Sequence, residues 1–257
     1  MRFALVLDDW GELGLPYQPY PDGREPMNPT ITDLTITEPT NSDPMITEAT
    51  ITDTPVDLAD HIRSSSAEQH RSTEQRTFIT ELMRGQRSLA DYTRYLAQYA
   101  WVYEALEELV VRVKSLDLFD PTLARLATIE NDLTALGVSD WRREHPPLPA
   151  TVAYVTHLRA LAQSDNLRCL AHHYTRYLGD LSGGQAISRL VARHYGATAE
   201  QLSFYRFDDI GDIVKYKRAY RDGLNALTLS KEEVDDLVAE VDAAFTFNGA
   251  IFDELAA

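Results

Sequence analysis

A single cysteine, Cys169, leaves this chain no internal disulfide and no multi-cysteine zinc site. A reducing, cytoplasmic home is therefore expected. Positive charge is scarce too: 24 Lys and Arg stand against 40 Asp and Glu, a net charge of −16. A nucleic-acid binder needs the opposite balance to neutralise phosphates. No apolar run approaches the roughly 18 residues of a membrane helix. The N-terminal stretch Phe3–Leu7 is cut short by Asp8 and Asp9, too little for a signal-peptide core. The chain closes on Glu254-Leu-Ala-Ala257, so no C-terminal membrane anchor is expected. No flavin or nicotinamide fingerprint is present. These absences describe an acidic soluble protein, expected as a monomer, with length for one large domain or two small ones.

Composition changes near residue 56. Residues 1–56 hold ten acids and two bases, Arg2 and Arg24, a net charge of −8. An imperfect repeat runs through them: Thr30-Ile-Thr-Asp33, Thr35-Ile-Thr-Glu38, Ile46-Thr-Glu48 and Thr50-Ile-Thr-Asp53. Each copy ends on an acid and the interruptions are Pro or Asn, which reads as a disordered acidic extension. An internal start at Met27 or Met45 is the other reading of this segment. From residue 57 to 257 the apolar period is helical. Ser88-x-x-Asp91, Thr198-x-x-Gln201 and Ser230-x-x-Glu233 mark helix starts, and Asp212 opens a basic helix. Pro121 opens a helix closing at Gly137. Pro149 opens another with Val152, Val155, Leu158 and Leu161 on one face, and a long helical run from Asn166 stops at Gly196. The expectation is a single all-α domain of about eight amphipathic helices.

Two segments break the pattern of ordinary packing. In Tyr174-Thr-Arg-Tyr-Leu-Gly-Asp-Leu-Ser-Gly-Gly-Gln185 three glycines interrupt a periodic run. Each costs a helix interior about 1 kcal/mol against Ala. Gly179 and Gly183 share a face and strip it of side chains. A packing seam, a helix end at Ser182-Gly-Gly184, or a flat ligand against bare backbone would each account for them. In Arg63–Thr77 only Ala67 is apolar, although apolar stripes flank the segment. A helix that loses its core face for four turns is either solvated or turned to a ligand. Arg63, His70 and Glu74 fall on one side of it.

Ala171–Gln185 resembles the distal-helix signature of haem oxygenases, almost unbroken, and the likeness extends loosely over residues 57–255. His70-Arg-Ser-Thr-Glu74, followed by Phe78 and Met83-Arg-Gly85, resembles the proximal helix of that family. The resemblance implies O2-dependent cleavage of haem b to biliverdin, CO and ferrous iron, with haem as both cofactor and substrate. It implies His70 as the axial iron ligand, oriented by Glu74. Gly179 and Gly183 would place bare backbone over the iron, and Asp180 would be the distal carboxylate that organises proton-delivering water. Lys217 and Arg221 match the family's propionate-binding pair, with Arg63 and Tyr174 as further propionate contacts. That pair sets haem rotation and favours the α-meso edge. Phe245, Asn248 and Phe252 match the pocket wall, though ordinary core explains the two phenylalanines nearly as well. His172 and His173 are by resemblance not ligands, and His194 in a last helical turn reads as structural. Ala100 departs from relatives that have tyrosine there. Electrons must come from an external donor, a ferredoxin system or a flavoprotein reductase, and iron acquisition or chromophore supply is the implied use. Two other readings share the fold: a haem carrier or sensor without turnover, and the di-iron or thiaminase-like relatives, for which the expected carboxylate and histidine pairs are not evident in the sequence.

Overall fold

Helix starts fall where the capping residues place them. Ser88 and Asp91 bond reciprocally, Ser88 N–H to Asp91 Oδ2 at 3.0 Å and Asp91 N–H to Ser88 Oγ at 3.1 Å. Ser230 and Glu233 close a second capping box, and Thr198 and Gln201 a third. The computed structural model describes residues 57–112, 118–161 and 166–257, which form one unit from Asp57 to Ala257. The acidic segment, and the reading of it as a disordered extension, lies outside the described residues.

Among the described residues the structure is all-helical, with no strand. In chain order it runs α1 (Leu58–Ser65), α2 (Ala67–Glu74), α3 (Thr77–Met83), α4 (Leu89–Arg112), α5 (Leu126–Ala135), α6 (Trp141–Glu144), α7 (Pro149–Leu161), α8 (Asn166–His173), α9 (Gly179–Tyr195), α10 (Ile213–Asn225) and α11 (Lys231–Ala256). A π turn, Tyr174–Leu178, joins α8 to α9. No helix among the described residues is long and apolar enough to cross a membrane.

Two long helices organise the rest. α4 buries Tyr92, Leu96, Tyr99, Tyr103 and Leu106 and packs on α5 and α7. α11 buries Leu237, Val241, Phe252 and Leu255 and packs on α2, α3, α7 and α8. It is the element that ties the polar α2 to the body, through the Thr73 hydroxyl donating to the Phe245 carbonyl at 3.1 Å. Phe252 lies in the core against Phe78 and Tyr95, as the plain reading has it.

Three expectations need correction. The helix expected from Pro121 to Gly137 is a 3-10 turn, Pro121–Leu123, followed by α5. Arg125 is the cause: its guanidinium caps the carbonyls of Leu123, Ala124 and Arg206, and Glu107 accepts from the N–H groups of Arg125 and Leu126. On α7, Val152 is 47% exposed, and Thr151 and Tyr154 take the buried face with Val155, Leu158 and Leu161. The polar run is not one helix, since it breaks at Ser66, whose hydroxyl bonds the Ile62 carbonyl, so Arg63 lies in the last turn of α1 and His70 belongs to α2. These breaks raise the count above the eight expected.

Candidate functional site

The distal segment owes its shape to the π turn. A π turn adds one residue to the helical path, which rotates the rest of the helix by roughly 100°. Asp180 then points inward at 8% exposure, and its neighbour Gly179 stands exposed. A Cβ built on Gly179 would meet nothing within 4 Å, so no helix among the described residues packs there. Gly183 is half-buried one turn further on. The helix also does not end at the glycine pair, since it continues to Tyr195 and stops at Gly196, whose φ of +69° suits glycine. Packing does explain Gly184, where a Cβ would come within 2.9 Å of the Tyr205 ring.

Below Asp180 lies a polar network inside an apolar core. Tyr103 donates its hydroxyl to Asp180 Oδ2. Arg176, one turn before Asp180, sits 3.8 Å from Oδ1 and also donates to the Tyr103 hydroxyl at 3.2 Å and to Asn248 Oδ1 at 3.1 Å. Tyr99 completes the chain by donating to the same Asn248 oxygen at 2.8 Å. The Arg176 guanidinium lies over the Tyr99 ring at 4.1 Å. Burial pushes the Asp180 carboxyl up to about 6, opposed by Arg176, the Tyr103 hydroxyl and Arg125. Ala100 is wholly buried between these tyrosines, so on this side the hydroxyls come from Tyr99 and Tyr103.

The predicted cations form a second group. Burial raises the Tyr174 phenol to about 12, while the charges of Arg221 and Arg63 pull it down. Burial, then Arg221, lowers the Lys217 ammonium, which bonds the Ser182 hydroxyl on α9 at 3.2 Å. Arg63 and Arg221 thus both act on Tyr174, and Arg221 on Lys217, although these residues come from α1, the π turn and α10. On α2, His70 Nε2 is 3.7 Å from Glu74 Oε1, and both side chains are about one-third exposed. The Phe245 ring meets the His70 imidazole edge-on at 5.2 Å. His194 packs against Gly85, in keeping with a structural role.

Sequence reasoning missed Arg176, Tyr99 and Tyr103 as partners of Asp180 and Asn248. The signal for Arg176 was its i, i+4 spacing to Asp180. It also missed a group of three metal-ligating residue types, His157, His172 and Glu240. With a single carboxylate, that group does not make a di-iron centre.

Residues 56–254 match the family model described as "Heme oxygenase". Heme oxygenase 1 of Gallus gallus is 34% identical over 206 residues, covering 77% of this chain and 70% of that protein. The crystal structure of heme oxygenase-1 from the cyanobacterium Synechocystis, solved in complex with heme, superposes with a TM-score of 0.74 at 31% identity, over 78% of this chain and 92% of that one. Heme oxygenase from Leptospira interrogans also gives 0.74, at 34% identity, over 77% and 99%. A buried carboxyl beside open backbone at Gly179 thus stands in a sequence matched across nearly all of its helical unit, and the chain belongs to the haem oxygenase family of enzymes.

Proposed function

We propose that this enzyme opens haem b at the α-meso carbon, using O2 and external electrons, to give biliverdin, CO and ferrous iron. The observation that carries the reading is bare backbone at Gly179 beside a buried, hydrogen-bonded carboxyl at Asp180. The donors fit haem: a part-exposed imidazole, unobstructed backbone at Gly179 and a cluster of cations for two propionates. Bound haem is the substrate and also supplies the O2-activating iron.

His70 would hold the haem iron, with Glu74 limiting rotation of its ring. With Gly179 and Gly183 lacking side chains, a macrocycle can lie against α9. Asp180, at about 6, carries a proton part of the time near neutral pH. It can therefore pass protons through ordered water without a bulky acid reaching the iron. Lys217 and Arg221 grip the propionates and fix the in-plane rotation, assisted by Arg63 and Tyr174. Phe245 and Asn248 close the wall on α11. Exposed Lys215 and Arg218 on α10 offer a face to an acidic ferredoxin or a flavoprotein reductase.

Purified protein supplied with haem, reductant and O2 should lose its Soret band and yield the α isomer of biliverdin on chromatography. A Soret band that persists under turnover would make the protein a haem carrier. His70→Ala should abolish turnover, with partial rescue by imidazole; full activity would misplace the ligand. Lys217→Ala with Arg221→Ala should scatter the isomers, and an unchanged isomer would remove the pair from rotation control.

A further inference from the structure

A second set of donor atoms meets away from the residues assigned to haem. His157 on α7, His172 on α8 and Glu240 on α11 each offer one ligand atom, and these atoms all lie within 4.8 Å of one another. Both imidazoles face the same oxygen: Glu240 Oε1 is 2.5 Å from His157 Nε2 and 2.8 Å from His172 Nε2. We infer that these three residues form a binding site for one divalent transition-metal cation, separate from the haem iron and independent of the proposed haem chemistry.

The donor set selects the cation. Two imidazoles and one carboxylate, without a thiol, suit zinc, ferrous iron, cobalt or nickel rather than calcium or magnesium. In a tetrahedral site with bonds of about 2.1 Å the ligand atoms stand about 3.4 Å apart. The two His–Glu separations are shorter, so a cation enters by parting each pair by less than about 1 Å. His157 is 30% exposed at its side chain, Glu240 8% and His172 fully buried. Entry and a fourth, water-filled position therefore lie on the His157 side.

The surroundings prepare the ligands. Tyr154 Oη lies 3.1 Å from His172 Nδ1. When Nε2 of His172 binds a cation, its proton moves to Nδ1 and is donated to Tyr154, whose hydroxyl serves either tautomer. Phe247 stacks on Tyr154 at 5.0 Å and lies 4.9 Å from His157, limiting both side chains. An opposing charge, Arg168 Nε, is 4.0 Å from Glu240 Oε2, but Arg168 is 41% exposed and pairs with Asp236 as well. A cation here clamps α8 to α7 and α11 one turn before Arg176.

The test uses the haem-free full chain carrying His70→Ala, so that the proximal histidine cannot contribute. Zinc and cobalt(II) are titrated by calorimetry, with the visible d–d spectrum of cobalt reporting the ligand field. The expected result is one cation per chain and a tetrahedral cobalt spectrum. His157→Gln keeps a donor to Glu240 and removes the ligand nitrogen, and should weaken binding at least tenfold. Absence of stoichiometric binding, or binding unchanged by His157→Gln, overturns the site and leaves the trio as a hydrogen-bonded helix clamp. Haem turnover by the otherwise wild-type chain is read separately, so failure of one reading does not touch the other.

Discussion

Asp180→Asn should stabilise the haem-free protein, and only above a definite pH. Burial holds the Asp180 carboxyl at about 6 instead of its usual 3.8. The folded chain therefore binds this proton at pH values where the unfolded chain has released it. Below 3.8 both states hold it and the site costs nothing. Between 3.8 and about 6 stability falls as pH rises, and above 6 the full penalty is present. A shift of roughly two units corresponds to about 3 kcal/mol of folding free energy at pH 7.5. The asparagine amide carries no charge and its oxygen still accepts from Tyr103, so most of this penalty disappears. The assay is urea unfolding of wild type and Asp180→Asn from pH 5 to 8. Taking the difference between the two proteins cancels the other raised carboxyls, Glu107, Asp132 and Asp242. The gap should widen by about 1.4 kcal/mol per unit below pH 6 and level off above it. A gap that stays flat with pH, or one in which wild type is the more stable at pH 7.5, refutes the buried-acid account.

Two glycine substitutions should separate a ligand face from a packing face. Gly179→Ala meets no neighbour and should stabilise the haem-free helix by up to about 1 kcal/mol while weakening haem binding; equal haem affinity would contradict the open-face reading. Gly184→Ala drives a methyl into the buried Tyr205 ring and should cost about 1–3 kcal/mol in thermal unfolding, and neutrality there would mean Tyr205 moves freely. Tyr103→Phe removes the hydroxyl that lowers Asp180, so the Asp180 carboxyl should titrate higher than about 6 by carbon-13 NMR; a lower midpoint would show that Tyr103 does not donate to it.

How much of this was legible depended on whether a signal was periodic or tertiary. Caps at Ser88, Asp212 and Ser230 were readable because a cap needs only its own next three residues. The α5 boundary was not, because Arg125 closes it by bonding a carbonyl at residue 206, a partner no local window contains. The same division runs through the site. Asp180 and Gly179 were singled out through a contiguous motif. Their inward and outward orientations were not, because these arise from a π turn, and a helical wheel drawn at 3.6 residues per turn assumes that no residue is inserted.

The glycines show what tertiary packing adds to a motif. Spacing alone favours a packing seam at Gly179 and Gly183, whereas Gly179 meets no neighbour within 4 Å and the close contact falls at Gly184. The π turn and the Tyr205 contact together divide the labour: Gly184 lets α9 seat against the body, and Gly179 is left free of the fold. Stability selects for the first glycine and selects against the second, since alanine at 179 would improve the helix. A residue that the fold would gain by losing, set next to a carboxyl that the fold would gain by neutralising, is what a site retained for chemistry looks like energetically.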